Sequence, residues 1–199
     1  MGKEKEAIKS YKIIIKKYPD TSIAGDAYFS LGDYYFANNR YMNAKIYFKK
    51  ASEFKESKRY GWTLYKLGWC HFNLGDHKKS LDLWKNTVIF ATIDDASAKS
   101  LKDEALRDMV FAFAELRQIE PAIKFYRKYG GQKYIPRMLF VLGQTYVEQG
   151  KIADAVTAFE RLLELGANSP EAFKAEWEIM SINFLERPTI SLKSFFIII

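Results

Sequence analysis

The sequence predicts an all-α solenoid of stacked antiparallel helix pairs, and three observations carry that prediction. A Leu-Gly pair returns as Leu31-Gly32, Leu67-Gly68 and Leu142-Gly143, each time with an aromatic or long side chain three to four residues later. Gly68 stands 36 residues after Gly32, and Gly143 stands 75 after Gly68, close to two further periods. A period of this size is the signature of repeats that stack one supersecondary unit on the next. The composition agrees: 48% hydrophobic with 28% charged residues is globular, and the core of a repeat array grows linearly with its 199 residues.

Taken in order, residues 4–18 read as a lone second helix, with Ala7, Tyr11 and Ile14 on one face and Tyr18-Pro19-Asp20 as its stop. The second repeat has a first helix over 22–37, a turn at Asn38-Asn39 and a second helix over 41–55. The third runs over 59–73, turns at Leu74-Gly75-Asp76 and continues over 77–91. The fourth has its first helix over 98–116 and its second over 121–129, ended by Gly130-Gly131 as glycine beyond a helix C-terminus does. The fifth runs over 134–148, turns at Gln149-Gly150-Lys151 and continues over 152–165. Ser169-Pro170-Glu171 then opens a last helix, with proline at the first helical position. The array therefore spans 1–187, about four complete repeats with half repeats at both ends, and 188–199 is an irregular apolar tail.

This pattern resembles the tetratricopeptide repeat family over residues 4–185. That family places an aromatic or Leu, then Leu-Gly, then Tyr in the first helix, and Ala, Phe or Tyr, Ala in the second. The second repeat holds Tyr28, Leu31, Gly32, Tyr35, then Ala44, Phe48, Ala51. The third holds Leu64, Leu67, Gly68, His71, then Ser80, Trp84, Thr87, and the fifth Leu139, Leu142, Gly143, Tyr146, then Ala155, Phe159, Leu162. The fourth departs, with Met109-Val110 for Leu-Gly, yet keeps Phe113, Ala122 and Tyr126. The resemblance implies a right-handed superhelix that scaffolds protein partners rather than an enzyme. The linkers add a second resemblance. Tyr18-Pro19-Asp20-Thr21 with Gly32-Asp33-Tyr34-Tyr35, and Tyr65-Lys66-Leu67-Gly68-Trp69 with Asn73-Leu74-Gly75-Asp76, are similar to repeat proteins of the bacterial cell envelope. Gliding-motility, Tol-Pal-associated and outer-membrane assembly types are meant, which implies the periplasm or the outer membrane; a genuine chain start at Met1 would instead favour the cytoplasm.

In such a repeat one face of the first helix packs in the core and another lines the groove. Leu64, Leu67, Gly68 and His71 mark the core face of the third repeat. At 100° per residue, Trp62, Tyr65, Trp69 and Phe72 lie about 130° away. The same reading gives Asp26, Phe29, Asp33 and Phe36 in the second repeat, Glu104, Arg107, Phe111 and Ala114 in the fourth, and Arg137, Phe140, Gln144 and Val147 in the fifth, with Asn73 closing the third. Aromatic rings and arginines are the side chains enriched among binding hot spots, so those of this face, with Asp33 and Asn73, are the expected contacts for a protein or peptide partner. Some family members clamp a chaperone's C-terminal carboxylate with Lys and Asn on this face. Here Phe29, Asp33, Tyr65 and Trp69 occupy those places, so that activity is not implied.

Other chemistries find little footing. Cys70, His71 and His77 cluster in sequence, but Cys70 and His71 point apart on a helix and no fourth ligand follows, so no metal is expected. Asp94-Asp95 lacks the pattern of a calcium loop and reads as a helix cap. Gly130-Gly131 follows a helix and lacks phosphate-loop spacing. No nucleophile is paired with a base, so neither catalysis nor a cofactor is expected. Glu6 stands where a myristoylation signal at Gly2 needs Ser or Thr, no signal peptide opens the chain, and no apolar run approaches the roughly 20 residues of a membrane span. The net charge is +7, from 31 basic and 24 acidic residues. Lys9, Lys12, Lys16, Lys17, Lys49, Lys50, Lys55, Lys58, Arg59, Lys78 and Lys79 sit mainly on second helices and read as a solvated outer face. Binding of nucleic acid or lipid headgroups through these lysines is the alternative function, with nucleic acid disfavoured. The tail ending Phe195-Phe196-Ile197-Ile198-Ile199 is no polar cap, which predicts self-association through the C-terminal end.

Overall fold

The computed structural model describes residues 2–93 and 98–185, and every element described there is helical. Asp94-Asp95 and the tail 188–199 lie outside the described residues. Packing divides the chain into two compact units, Met1–Leu116 and Arg117–Ile199.

The first unit holds α1 (Gly2–Lys17), α2 (Ser22–Ala37), α3 (Tyr41–Ala51), α4 (Tyr60–Asn73), α5 (His77–Ile93) and α6 (Lys99–Glu115). Each helix packs on the next, and neighbouring first helices also touch, α2 with α4 and α4 with α6. The close approach within each pair has one physical cause. A Cβ placed on Gly32 would stand 2.7 Å from the Phe48 ring, and one on Gly68 would stand 2.6 Å from Nε1 of Trp84. Both rings are fully buried beneath the bare glycine backbone, so the Leu-Gly signal and the aromatic of the second helix are two halves of one contact. The Trp84 indole N–H also donates to the Tyr65 carbonyl at 3.1 Å, so the large ring buries no orphan donor.

The second unit holds α7 (Ile119–Phe125), a π-helical turn (Tyr126–Gly130), a 3₁₀ turn (Gln132–Tyr134), α8 (Ile135–Glu148), α9 (Ile152–Gly166) and α10 (Pro170–Leu185). Gly143 repeats the device: a Cβ added there would run into Cε1 of the buried Phe159.

The turns follow a single rule. Asn39 (φ 56°), Gly75 (φ 80°), Arg117 (φ 52°) and Gly150 (φ 68°) each adopt the left-handed region two residues before a second helix begins. Three of these were legible as Asn or Gly; Arg117 was not, because arginine carries no such preference. α3 ends at Ala51, short of the predicted 55, and the chain then turns through Phe54, whose Cβ lies 2.6 Å from where a Cβ on Gly25 would stand. α7 begins two residues before Pro121, which the first turn tolerates because a backbone N–H at that position would have no helical acceptor to lose. The predicted second helix over 121–129 gives way at Tyr126 to the π turn, closed by Gly131 at φ 97°.

Candidate functional site

The face shared by α2, α4 and α6 carries an open cleft of about 490 Å³, lined by Phe36, Tyr41, Trp62, Tyr65, Lys66, Trp69, Asn73 and Glu104. Its floor is organised by one carboxylate. Asp108 of α6 is only 7% exposed, and its Oδ2 accepts from the Tyr65 hydroxyl at 2.5 Å and from Nε1 of Trp69 at 3.1 Å. Its Oδ1 accepts from Nε of the exposed Arg107 at 3.2 Å. Burial, reinforced by the hydrogen bond to Asp108, raises the Tyr65 hydroxyl above its ordinary value, so it stays a protonated donor. Two rings of α4 are thus fixed by a side chain of α6, which is how the stacking of repeats sets the shape of the cleft.

The rings interlock. Trp62 meets Tyr65 edge-on at 5.7 Å, and Trp69 meets Phe72 at 5.6 Å and Trp84 at 5.1 Å in the same manner. Phe111 of α6 lies 6.5 Å from both Trp69 and Phe72, behind the cleft. On the α2 side, Phe36 packs edge-on against Tyr41 at 5.4 Å. The Lys66 ammonium sits over the Phe36 ring at 4.7 Å and pairs with Asp33 at 3.1 Å. The cleft therefore already holds a cation between a ring face and a carboxylate.

The expected contact residues divide into groups. Phe36, Trp62, Trp69 and Asn73 line the cleft with their sides open to solvent, and Asp33 borders it through Lys66. Tyr65 lines it from below at 6% exposure, and Phe29, also 6% exposed, is sealed under Arg59, whose guanidinium lies 5.0 Å from its ring. Those two rings support the surface instead of presenting one. Phe72 and Phe111 are half-buried behind Trp69. Arg107 is exposed and reaches the site only through Asp108. Arg137 and Phe140 stand on α8 in the second unit, where Arg137 is exposed and Phe140 packs on Phe159 at 5.9 Å.

Lys66, Tyr41 and Asp108 were missed as site residues. For Asp108 a signal existed: it is a lone carboxylate between Leu106 and Met109 on the core face of α6, where an unpaired charge is costly. His71, expected as a core ring, is half-buried with Nδ1 3.0 Å from Asp76, and His77 opens α5 with its ring 5.0 Å from Phe72. Cys70 is fully buried, which pushes its thiol up to about 12. The lysines read as an outer face are all exposed. No described helix is long and apolar enough to cross a membrane.

Helix pairs stacked in series, with a ring-lined cleft across their first helices, define a protein–protein interaction scaffold. Profiles of the tetratricopeptide repeat match residues 1–21 and 62–88, residues 25–58, and residues 140–179, together more than half of the sequence. The chain belongs to the tetratricopeptide repeat family. Among solved structures it is similar to MamA (TM-score 0.55, 19% identity, covering 82% of this chain and 83% of that one). It is also similar to YrrB, described as a TPR protein with an unusual peptide-binding site (TM-score 0.56, 17% identity, covering 88% and 84%). At these identities the likeness is one of fold. No curated protein matches the chain.

Proposed function

We propose that the cleft across α2, α4 and α6 binds a short segment of a partner protein, with Trp62, Trp69 and Phe36 as the contact rings. The observation that carries this reading is the Asp108 anchor, which holds Tyr65 and Trp69 in fixed orientations around an open cavity. Rings held rigid before binding lose little entropy on contact, and burying one contributes about 1.5–3 kcal/mol. The unusual peptide-binding site of YrrB lends the reading support by analogy of fold. A place in a bacterial envelope complex is the finer form of the proposal, supported by the elongated linker motifs Tyr18-Pro19-Asp20-Thr21 and Asn73-Leu74-Gly75-Asp76. Peptide display against the intact chain, followed by titration of the selected peptides, tests the site. Trp62→Ala is expected to weaken binding at least about tenfold while the helical circular dichroism stays unchanged. Binding that survives Trp62→Ala and Phe36→Ala, but is lost when Lys49, Lys50, Lys55 and Lys58 become Glu, would replace this reading with the anionic-surface one.

A further inference from the structure

The last described helix shows an uncovered seam. Phe173, Trp177, Met180 and Phe184 of α10 are 77%, 67%, 58% and 75% exposed, while Ala172, Ala175 and Ile182 on the opposite side are buried against the unit. The exposed four recur at spacings of four, three and four residues, the a/d seam of a two-stranded coiled coil. At about 200 Å² for a side chain of this size, they present on the order of 550 Å² of apolar surface, at the upper end of the largest patch a typical monomer exposes, a size that often marks a contact surface.

The neighbouring repeats show what kind of occupant the seam accepts. Matching Ala24 and Ala27 of α2 to Ala172 and Ala175 of α10 puts Phe173 at the place of Gly25, Trp177 at Phe29, Met180 at Gly32 and Phe184 at Phe36. In α2 those positions are covered by the following chain: Gly32, Phe29 and Phe36 meet Phe48 of α3, and Gly25 meets Phe54. The cover approaches closely because Gly25 and Gly32 lack side chains. Phe173 and Met180 fill both places in α10, so a second helix seated as α3 is on α2 would collide with them. The seam is built for a partner met side chain to side chain.

We infer that this partner is α10 of a second copy of the chain, forming a two-fold dimer independent of the peptide cleft. The seam is self-complementary when the two helices run antiparallel. Phe173 then packs on Phe184 and Trp177 on Met180 in each of the paired layers, while Lys174 and Glu176 fall opposite Ser181 and Asn183, so no like charges meet. Two copies would remove up to about 1,100 Å² from water, which clears the roughly 1,000 Å² asked of a specific interface and sits at the small end of the range.

Sedimentation of the full chain across micromolar concentrations tests this. The expected result is a reversible dimer whose dissociation constant rises at least about thirtyfold with Trp177→Glu and, separately, with Met180→Glu. Helical circular dichroism is expected to stay unchanged in both, and Phe195→Glu with Phe196→Glu is expected to leave the dimer intact. A wild-type chain that stays monomeric overturns the inference, because the seam is then covered by residues 186–199 or by a different protein. A dimer that survives both seam substitutions, or that is lost on changing Phe195 and Phe196, also overturns it.

Discussion

Asp108 offers the most direct test of how the stacked helices shape the cleft. Replacing it with alanine removes the acceptor of two donors at once. The Tyr65 hydroxyl is buried and finds no water, which costs about 1–3 kcal/mol. The Trp69 indole is half-buried and is partly rehydrated, so its loss falls at the low end of that range. Together these losses come to about 2–4 kcal/mol; deleting a buried carboxylate returns some desolvation energy, and the net expectation is a destabilisation of about 1–3 kcal/mol. Tyr65→Phe alone leaves Asp108 with Trp69 and Arg107 as donors and should cost about 1–2 kcal/mol. The double variant should fall short of the sum by about 1–2 kcal/mol, because the two residues share one hydrogen bond. Arg107→Ala, at the exposed end of the same carboxylate, should shift stability by less than about 1 kcal/mol. Urea unfolding followed by circular dichroism and tryptophan fluorescence measures all four. Additive losses in the double variant, or an Asp108→Ala protein as stable as wild type, would show that the 2.5 Å contact does not organise the site.

The remaining expectations concern the frame around it. Gly143→Ala should lower stability by about 2 kcal/mol in chemical denaturation: a Cβ there runs into three atoms of the Phe159 ring, which puts overpacking at the upper end of about 1–3 kcal/mol, and the helix propensity of alanine returns just under about 1 kcal/mol. A variant as stable as wild type would mean that the α8–α9 contact relaxes freely. Arg117→Gly should raise stability by up to about 1 kcal/mol by relieving the left-handed backbone, even though it gives up an exposed ion pair to Asp154. Cys70 should react with a thiol reagent only at the rate at which the first unit opens. Because its folded value is raised, the unfolded chain loses this proton first as pH rises, so stability falls from about pH 9 toward about 12, and Cys70→Ala should flatten that slope.

Much of the frame was legible in the sequence because one contact generates it. Glycine in the first helix and a ring in the second are both visible as residues, and their period fixes the pairing before any coordinates. The turn at Arg117 was illegible for the opposite reason: arginine has no preference for the left-handed backbone it adopts there, so the side chain carries no trace of it. The site was half legible. Reading α6 at 104, 107 and 111 put Arg107 on the cleft, whereas the helix puts Asp108 there, at 104, 108 and 111. Steps of three and four residues differ by 100°, and only packing decides between them when both candidates are charged. Tyr65 shows the same limit. A ring at the right angle can line a cleft or hold up its floor, and burial separates those roles.

The glycine of the repeat also separates closed seams from open ones. Where it stands bare, at Gly32, Gly68 and Gly143, a ring of the following helix fills the space and the first helix can present only its other faces to a partner. Where a side chain replaces it, that tight closure is unavailable. Val110 in α6 is buried all the same, at the last helix of the first unit, while Met180 in α10 stays open with three large neighbours beside it. Restoring the bare backbone should therefore have opposite meanings at the two ends of this logic. Alanine at Gly143 pushes a formed pair apart, whereas Met180→Gly removes a projecting group from a seam that no described residue covers. If α10 is an intermolecular surface, Met180→Gly weakens the dimer while barely altering monomer stability beyond the roughly 1 kcal/mol helix penalty of glycine. If it were instead the first half of a regular repeat, the same change would strengthen packing within the chain, and the two outcomes are separated by measuring association and unfolding on one sample.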